Sequence, residues 1–442
     1  MGIASKMNKN NKSRYSNYVY VMVSTLNQMV NYIPLKYKEF DFKEVYNLTV
    51  KEDNSDRKNL FKNEDWDNNL KSVYNKDIKN LEIDKEIFFD VLSIKNYLQN
   101  QIDNGKLKNK KIFWNITGGQ RNFVLAINQV AREDDIICYL EGNNNQMLLY
   151  SKDNIPKGSI DDYGIENLTI ETALKLMGFQ VNSKNMEIGD NDEREFYEKF
   201  YSEYVENKEL REWLIILNKS YPKLREKKKN ESEESYKKLK DEYPNKKKKF
   251  GEIKNSAKDK IKDILSYSKK KDKELLTTKL DRSQAFGYIL EELTFYKLEE
   301  LLQDLIDRKR VILVHSLKIK NEKINDVTVA EFDIALLTDN GKFIMFECKS
   351  GGMTGDTAKA RNYATYAVSG VYGLPILITP IISDEVDKEI KDEILKDDYY
   401  DIYKNIKTAI ASAERAGLDV WYLDNIDEEN NLKKYVEIKK DK

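Results

Sequence analysis

Residues 327–352 read VTVAEFDIALLTDNGKFIMFECKSGG, two apolar runs joined by Asp339-Asn340-Gly341. Aspartate, asparagine and glycine between hydrophobic runs predict a β-hairpin. Into these strands the sequence sets Glu331, Asp333, Glu347 and Lys349. A charge among core strand residues is costly unless it is paired or bound to a metal. Side chains alternate along a strand, so Glu331 and Asp333 share a face, as do Glu347 and Lys349. A three-residue turn with Gly341 left-handed pairs Thr338 with Lys342, Asp333 with Glu347 and Glu331 with Lys349. A two-residue Asn-Gly turn shifts the pairing by one and puts Asp333 on the face opposite Glu347.

Two carboxylates converging on one point can hold a hard divalent cation through oxygen. A neighbouring lysine can orient water and stabilise the charge that builds on a phosphate. Because 34% of the chain is charged, Glu-x-Lys alone arises by chance. The competing reading is a solvated edge hairpin with a salt bridge, and the apolar neighbours Ile334, Ala335, Leu336, Ile344, Met345 and Phe346 oppose it. The arrangement resembles the core of the PD-(D/E)xK nucleases, with Asp333 and Glu347-Cys348-Lys349 at the motif positions. That resemblance implies Mg2+ or Mn2+ at Asp333, Glu347 and Cys348, with Lys349 catalytic and Glu331 beside it. It also implies a further acid from a preceding helix. Gly287-x-x-Leu290-Glu291 fits that helix and Glu291 that acid, with Glu292 as the rival.

The 442 residues allow two or three domains. A net charge of −1 conceals 75 basic and 76 acidic residues, so partners must be read from local charge. No apolar run is long enough to cross a membrane, and the N-terminus does not read as a signal peptide. Cys138 and Cys348 are too few for a zinc site, and a single histidine, His315, excludes a His-rich metal centre. A reduced cytoplasm is the expected compartment.

The chain divides into a polar, disordered tail (1–16), an α/β domain (17–188), a charged helical linker or spacer (189–279) and a second α/β domain (280–442). Tyr18 to Val23 reads as a buried strand followed by the polar loop Ser24-Thr25-Leu26-Asn27-Gln28. Ile83 to Gln101 has helical spacing. Lys111 to Ile116 is a strand, followed at once by Thr117-Gly118-Gly119-Gln120 and a helix through Val130. Asp135 to Leu140 and Met147 to Tyr150 read as strands, and Leu168 to Gly178 as a closing helix. Strands alternating with helices predict a parallel sheet that binds ligands at its carboxyl edge.

At Thr117-Gly118-Gly119 a helix N-terminus offers free N–H groups and positive dipole to an anion. Alone, such a loop reads more readily as an ordinary β–α turn. Together with the loop after Val23 it forms a pocket, with Glu141-Gly142-Asn143 at the rim. This pattern resembles the CARF domain, the Rossmann-like sensor of cyclic oligoadenylates in CRISPR systems. That family shows Thr/Ser-Gly-Gly-Thr-Lys. Here Gln120 replaces the second threonine and Arg121 keeps the positive charge. The resemblance implies ligand contacts from Ser24, Thr25, Asn27, Gln28, Thr117, Gly118, Gly119, Gln120 and Arg121.

Lys223 to Lys249 holds twelve basic and six acidic residues. It reads first as a solvated helical linker and alternatively as a guide for a nucleic-acid backbone. Arg310-x4-His315 has the spacing of HEPN ribonucleases, but its β-branched run suits a strand, so His315 is read as a packed residue. Thr357 to Gly370 reads as a helix whose Lys359 and Arg361 either contact phosphate or are solvated.

The expected fold is α/β: a Rossmann-like CARF domain, a charged helical spacer and a restriction-endonuclease-like domain. The two resemblances jointly imply a type III CRISPR ancillary nuclease: a homodimer activated by cyclic oligoadenylate, with a tetra-adenylate ring the first choice. Its substrate would be DNA, RNA or both, and a membrane is not expected as partner. The alternatives are a ligand-responsive nucleic-acid-binding regulator with an inactive nuclease fold, and a stand-alone restriction or repair nuclease.

Overall fold

The computed structural model describes residues 15–51, 63–142, 144–161, 163–185, 191–218, 232–321, 328–383, 396–426, 432 and 436. The expected tail (nearly all of it), Asn143 and the first part of the Lys-rich run, 223–231, lie outside these residues.

The first half runs β1 (Tyr18–Val23), α1 (Met29–Lys36), β2 (Glu44–Val50), α2 (Asn63–Tyr74), β3 (Lys79–Ile83), α3 (Val91–Asp103), β4 (Lys111–Asn115), α4 (Arg121–Val130), β5 (Ile136–Glu141), β6 (Gln146–Tyr150), β7 (Pro156–Asp161) and α5 (Ile170–Leu176). The seven strands form one sheet in the order β3-β2-β1-β4-β5-β6-β7. Strands β3 through β5 are parallel, and β6 and β7 close the edge as antiparallel strands. Tyr and Val dominate β1, and it is buried on both faces, as parallel strands are when covered on both sides. Ile94, Leu98 and Ile102 form the buried stripe of α3, which packs with α4 over one face. This helix starts at Val91 rather than near Ile83, because the Asp90 carboxylate accepts the Ser93 N–H and caps it there.

The second half runs β8 (Phe179–Asn185), α6 (Asn191–Glu206), α7 (Lys208–Leu217), α8 (Glu233–Leu265), α9 (Lys270–Leu280), α10 (Ala285–Asp307), β9 (Val311–Asn321), β10 (Thr328–Thr338), β11 (Phe343–Cys348), α11 (Gly355–Ser369), β12 (Leu374–Thr379), α12 (Lys396–Ala416) and β13 (Asp419–Tyr422). Its six strands are ordered β13-β12-β11-β10-β9-β8, antiparallel from β8 to β11 and parallel from β11 to β13. The molecule is therefore a mixed α/β protein built on two mixed sheets.

Two features differ from the sequence reading. Strand β8 pairs with β9, so residues before the expected boundary at 188 already belong to the second sheet. The charged segment is also more than a solvated spacer. Phe196, Tyr197, Phe200 and Tyr204 of α6, Leu214 and Leu217 of α7, and Ala257 and Ile261 of α8 are buried in the same core as α10 and β11. The aromatic stripe of α6 is diluted by ten intervening polar or charged residues in its 16, which hid it among charges. Only the first half of α8 stands clear, with Lys246 to Lys249 all exposed.

The two sheets also share a core. Tyr20, Met22, Cys138 and Leu140 from the first pack in one cluster with Val314, Phe332, Ala335, Phe343 and Met345 from the second. Among the described residues no helix is long and apolar enough to cross a membrane.

Candidate functional site

The hairpin closes on a three-residue turn. Thr338 donates its N–H to the Lys342 carbonyl at 3.0 Å, Gly341 donates to the Thr338 carbonyl at 3.0 Å, and Gly341 has φ +84°. Its register pairs Leu337 with Phe343 and Ile334 with Phe346, which sets Asp333 across from Glu347 at the next position. There the ladder gives way to a side chain, as the Cys348 N–H donates to Asp333 Oδ2 at 2.8 Å.

Glu347 is 4% exposed. Its Oε1 lies 2.6 Å from Lys349 Nζ and its Oε2 lies 2.9 Å from Arg361 Nε on α11. Lys349 and Arg361 thus hold one Glu347 oxygen each. Burial pushes the Asp333 carboxyl up to about 7, with the charges of Glu347 and Glu291 adding and Lys349 opposing. Burial works to lower Lys349, but Glu347 and Asp333 outweigh it and hold the ammonium above its ordinary range.

Glu291 reaches the same place from α10. Its Oε2 lies 3.7 Å from His315 Nε2, and His315 stacks on Phe295 with ring centroids 5.4 Å apart. Burial opposes protonation of His315, yet Glu291, Glu292 and Asp333 together raise its pKa. His315 is a buried residue of β9, as its β-branched surroundings indicated. The rival Glu292 is buried beside Tyr197 and Tyr288.

Two expected members stand apart. Glu331 is exposed and pairs with Lys318, its cross-strand neighbour on β9, at 3.1 Å instead of meeting Lys349. The Cys348 thiol is buried in the apolar core under α10, and burial holds it protonated. Cys348 can therefore offer a cation only its main-chain carbonyl.

Arg361 joins the cluster although the sequence offered it only as a phosphate contact or a solvated charge. The available signal was its place in the stripe Ala358–Arg361–Thr365–Val368, whose other members are buried.

Among the described residues no three His, Cys, Asp or Glu side chains gather as a metal site. Asp333 and Glu347 nevertheless suit Mg2+, which binds through one or two carboxylates and retains waters. A buried Glu347 whose charge raises the pKa of a partly buried Asp333 is a donor set that a cation would relieve.

The second constellation lies where β1 is flanked by β2 and β4, so the loops after β1 and β4 meet at the switch point of the sheet. They pack closely: a Cβ on Gly118 would lie 2.7 Å from Thr25 Cγ2, and one on Gly119 (φ +86°) would overlap Val23 Cγ1. Gln120 makes no capping bond, and the first turn of α4 carries no acid. With Gly119, Gln120 and Arg121 exposed, the helix end presents its donors to solvent.

Several side chains proposed for the pocket are occupied internally. Ser24 Oγ and Gln28 Nε2 both donate to Asp67 Oδ1, at 2.8 and 3.1 Å. The Thr117 hydroxyl donates to Asn115 Oδ1 at 2.7 Å and accepts from Leu140 N at 2.9 Å. Asn27 Oδ1 accepts from Met29 N at 3.2 Å. These residues shape the loops, and the amides at Gly119 to Arg121 with the Arg121 side chain are left exposed. Asp67 of α2, which organises the first loop, gave no signal in the sequence beyond its charge.

No protein-family model and no curated protein matches the chain. Solved structures with a similar fold include protein VC1899 from Vibrio cholerae, with a TM-score of 0.57 and 15% identity over 92% of this chain and 94% of that one. Can2 from Sulfobacillus thermosulfidooxidans, solved in complex with cyclic tetra-adenylate, has a TM-score of 0.52 and 13% identity over 91% of this chain and 95% of that one. At these identities the likeness is one of fold, and it runs through both sheets.

Proposed function

We propose that this chain is a metal-dependent nuclease switched by a cyclic oligoadenylate in type III CRISPR defence. The observation that carries the reading is that Asp333 and Glu347 come together where the buried hairpin ladder ends, with Asp333 on the Cys348 N–H and Lys349 on Glu347. Support for the ligand comes from the open N-terminus of α4 at the switch point and from the cyclic tetra-adenylate held by the similarly folded Can2.

Asp333 and Glu347 would hold Mg2+ or Mn2+, with the Cys348 carbonyl as a third donor. A cation held there would supply Lewis-acid polarisation of the phosphate and a more acidic water. Lys349 orients the attacking water and stabilises charge on the phosphoryl oxygens. Glu291, beside His315, would be the group to exchange a proton with that water.

The symmetric activator fits an isologous homodimer with both switch points facing the twofold axis. DNA, RNA or both are the substrates, and the cytoplasm is the compartment. The test is incubation of the chain with Mg2+ or Mn2+, labelled single- and double-stranded nucleic acids, and each cyclic oligoadenylate. Cleavage that needs both metal and ring supports the reading. Binding without cleavage points to a regulator, and cleavage without the ring to a stand-alone nuclease.

A further inference from the structure

Arg361 occupies an inward position of α11, and the helix joins two distant places. In its N-terminal half, Arg361 Nε lies 2.9 Å from Glu347 Oε2 and Nη1 donates to the Glu331 carbonyl, so one guanidinium ties β10 to β11. At its C-terminal end, Ser369 Oγ accepts from Phe343 N at 3.1 Å. The next residue, Gly370, has φ +68° and sits so close to the loop after β1 that a Cβ would lie 2.5 Å from Asn27 Nδ2. Just beyond, the Tyr372 hydroxyl donates to the Leu140 carbonyl at 3.3 Å. Asn27 and Leu140 both belong to the carboxyl edge of the first sheet. From Arg361 to Gly370 the helix rises only ~14 Å.

With Arg361 in place, each Glu347 oxygen faces a cationic side chain, Lys349 on one and Arg361 on the other. A divalent cation approaching Glu347 is repelled by both charges and must displace one. Lys349 is tied to the same strand as Glu347, whereas Arg361 rides on a helix that touches the other sheet.

We infer that Arg361 is a positioning residue coupling the switch-point loops to Glu347: ligand at those loops shifts α11 and withdraws Arg361, freeing Glu347 Oε2 for a divalent cation. Shifts of about 1–2 Å by packed helices are a common form of such coupling. A ligand moves the equilibrium only by its differential affinity for the two helix positions. The inference rests on the nuclease reading of Glu347.

The experiment measures Mn2+ binding by electron paramagnetic resonance on the full chain, with and without cyclic tetra-adenylate, in the wild type, R361Q, R361K and E347Q. The wild type is expected to bind Mn2+ at least tenfold tighter with the nucleotide. Metal should tighten nucleotide binding by the same factor, because coupling is reciprocal. R361Q should bind Mn2+ tightly without nucleotide and gain less than twofold from it. R361K, which keeps the charge but loses the fork that reaches both Glu347 and Glu331, should lie between. A purely structural arginine would lower melting temperature without changing that ratio.

The inference is overturned if nucleotide-free R361Q binds Mn2+ no tighter than the wild type, or keeps the wild-type coupling factor. Should R361Q fail to fold, full wild-type coupling in R361K overturns it. Loss of Mn2+ binding in the wild type under every condition removes the nuclease reading and this inference together. Mn2+ binding that E347Q abolishes, with R361Q uncoupled from none of it, removes the inference alone.

Discussion

Thr338 and Lys342 are joined by a 3.0 Å bond from the Thr338 N–H to the Lys342 carbonyl, and this bond sets which residue Glu347 meets five positions away. A turn shorter by one residue would carry Asp333 to the other face. Gly341 makes this turn possible through its positive φ, and it leaves no room for a side chain, since a Cβ would lie 2.7 Å from Met29 Cγ. G341A should therefore lose about 1–2 kcal/mol from conformation alone, and more from the Met29 contact. In urea denaturation, G341A combined with M29A should lose less than the sum of the single variants. Simple additivity would show that the two residues do not press on each other.

E347Q should abolish cleavage while oligomeric state, read by sedimentation, stays as in the wild type; nucleotide should still bind in calorimetry, with no tightening by metal. K349A should bind metal at least as tightly as the wild type and slow the chemical step by roughly a hundredfold or more. A K349A rate within a few-fold of wild type at saturating metal would remove Lys349 from the chemistry.

At the other sheet, G119V should raise the concentration of cyclic tetra-adenylate needed for activation, because a branched side chain both blocks the amides and overlaps Val23. Mn2+ binding at the hairpin should persist. Unchanged nucleotide affinity in calorimetry would move the ligand away from this loop.

Exchange of Lys246 to Lys249 for glutamine should flatten the salt dependence of substrate binding by at most about four counterions. Cleavage at saturating substrate should stay near wild type, since these lysines stand on the exposed half of α8. A collapse of that saturated rate would place them at the reacting phosphate.

Lys110 and Lys79 hold the Glu44 carboxyl down to about 2. Its folded pKa lies below its ordinary value of 4.5, so its stabilisation is present above that value and disappears as pH falls through about 2. E44Q should lose the corresponding slope in melting temperature between those limits. The change should be small, because Lys79 stands half in solvent and water screens the pair. An E44Q profile parallel to wild type across this range would refute the pairing as a source of stability.

The hairpin was legible because its information is local: turn residues, apolar runs and the placement of Glu331, Asp333, Glu347 and Lys349 mark the two strands and narrow the register to two choices. β1 and β4 were legible for the same reason, as continuous apolar runs ending in small or polar loops. Long-range relations were not. Arg361 and Glu347 are separated by a helix start, and nothing local distinguishes an arginine that meets a buried carboxylate from one that meets water. Glu331 pairs with Lys318 because β9 lies on that side of β10, a fact of strand order rather than of spacing. Ser24 and Gln28 were read as ligand contacts because polar loop residues beside a strand end suggest it; their common partner Asp67 sits on α2, across an intervening strand. The charged helices misled through composition, since the aromatic stripe of α6 is narrow and its remaining positions are polar.

The cluster in which Tyr20, Met22 and Cys138 meet Val314, Phe332 and Phe343 has an evolutionary meaning. A sensor and an effector joined by a tether can be recombined freely among lineages. Here each half supplies part of the other's interior, so exchanging one half for a distant counterpart would leave mismatched side chains along the whole wall between them. Drift in either half should be held in step with the other, and new pairings should arise by gradual co-adaptation more readily than by shuffling.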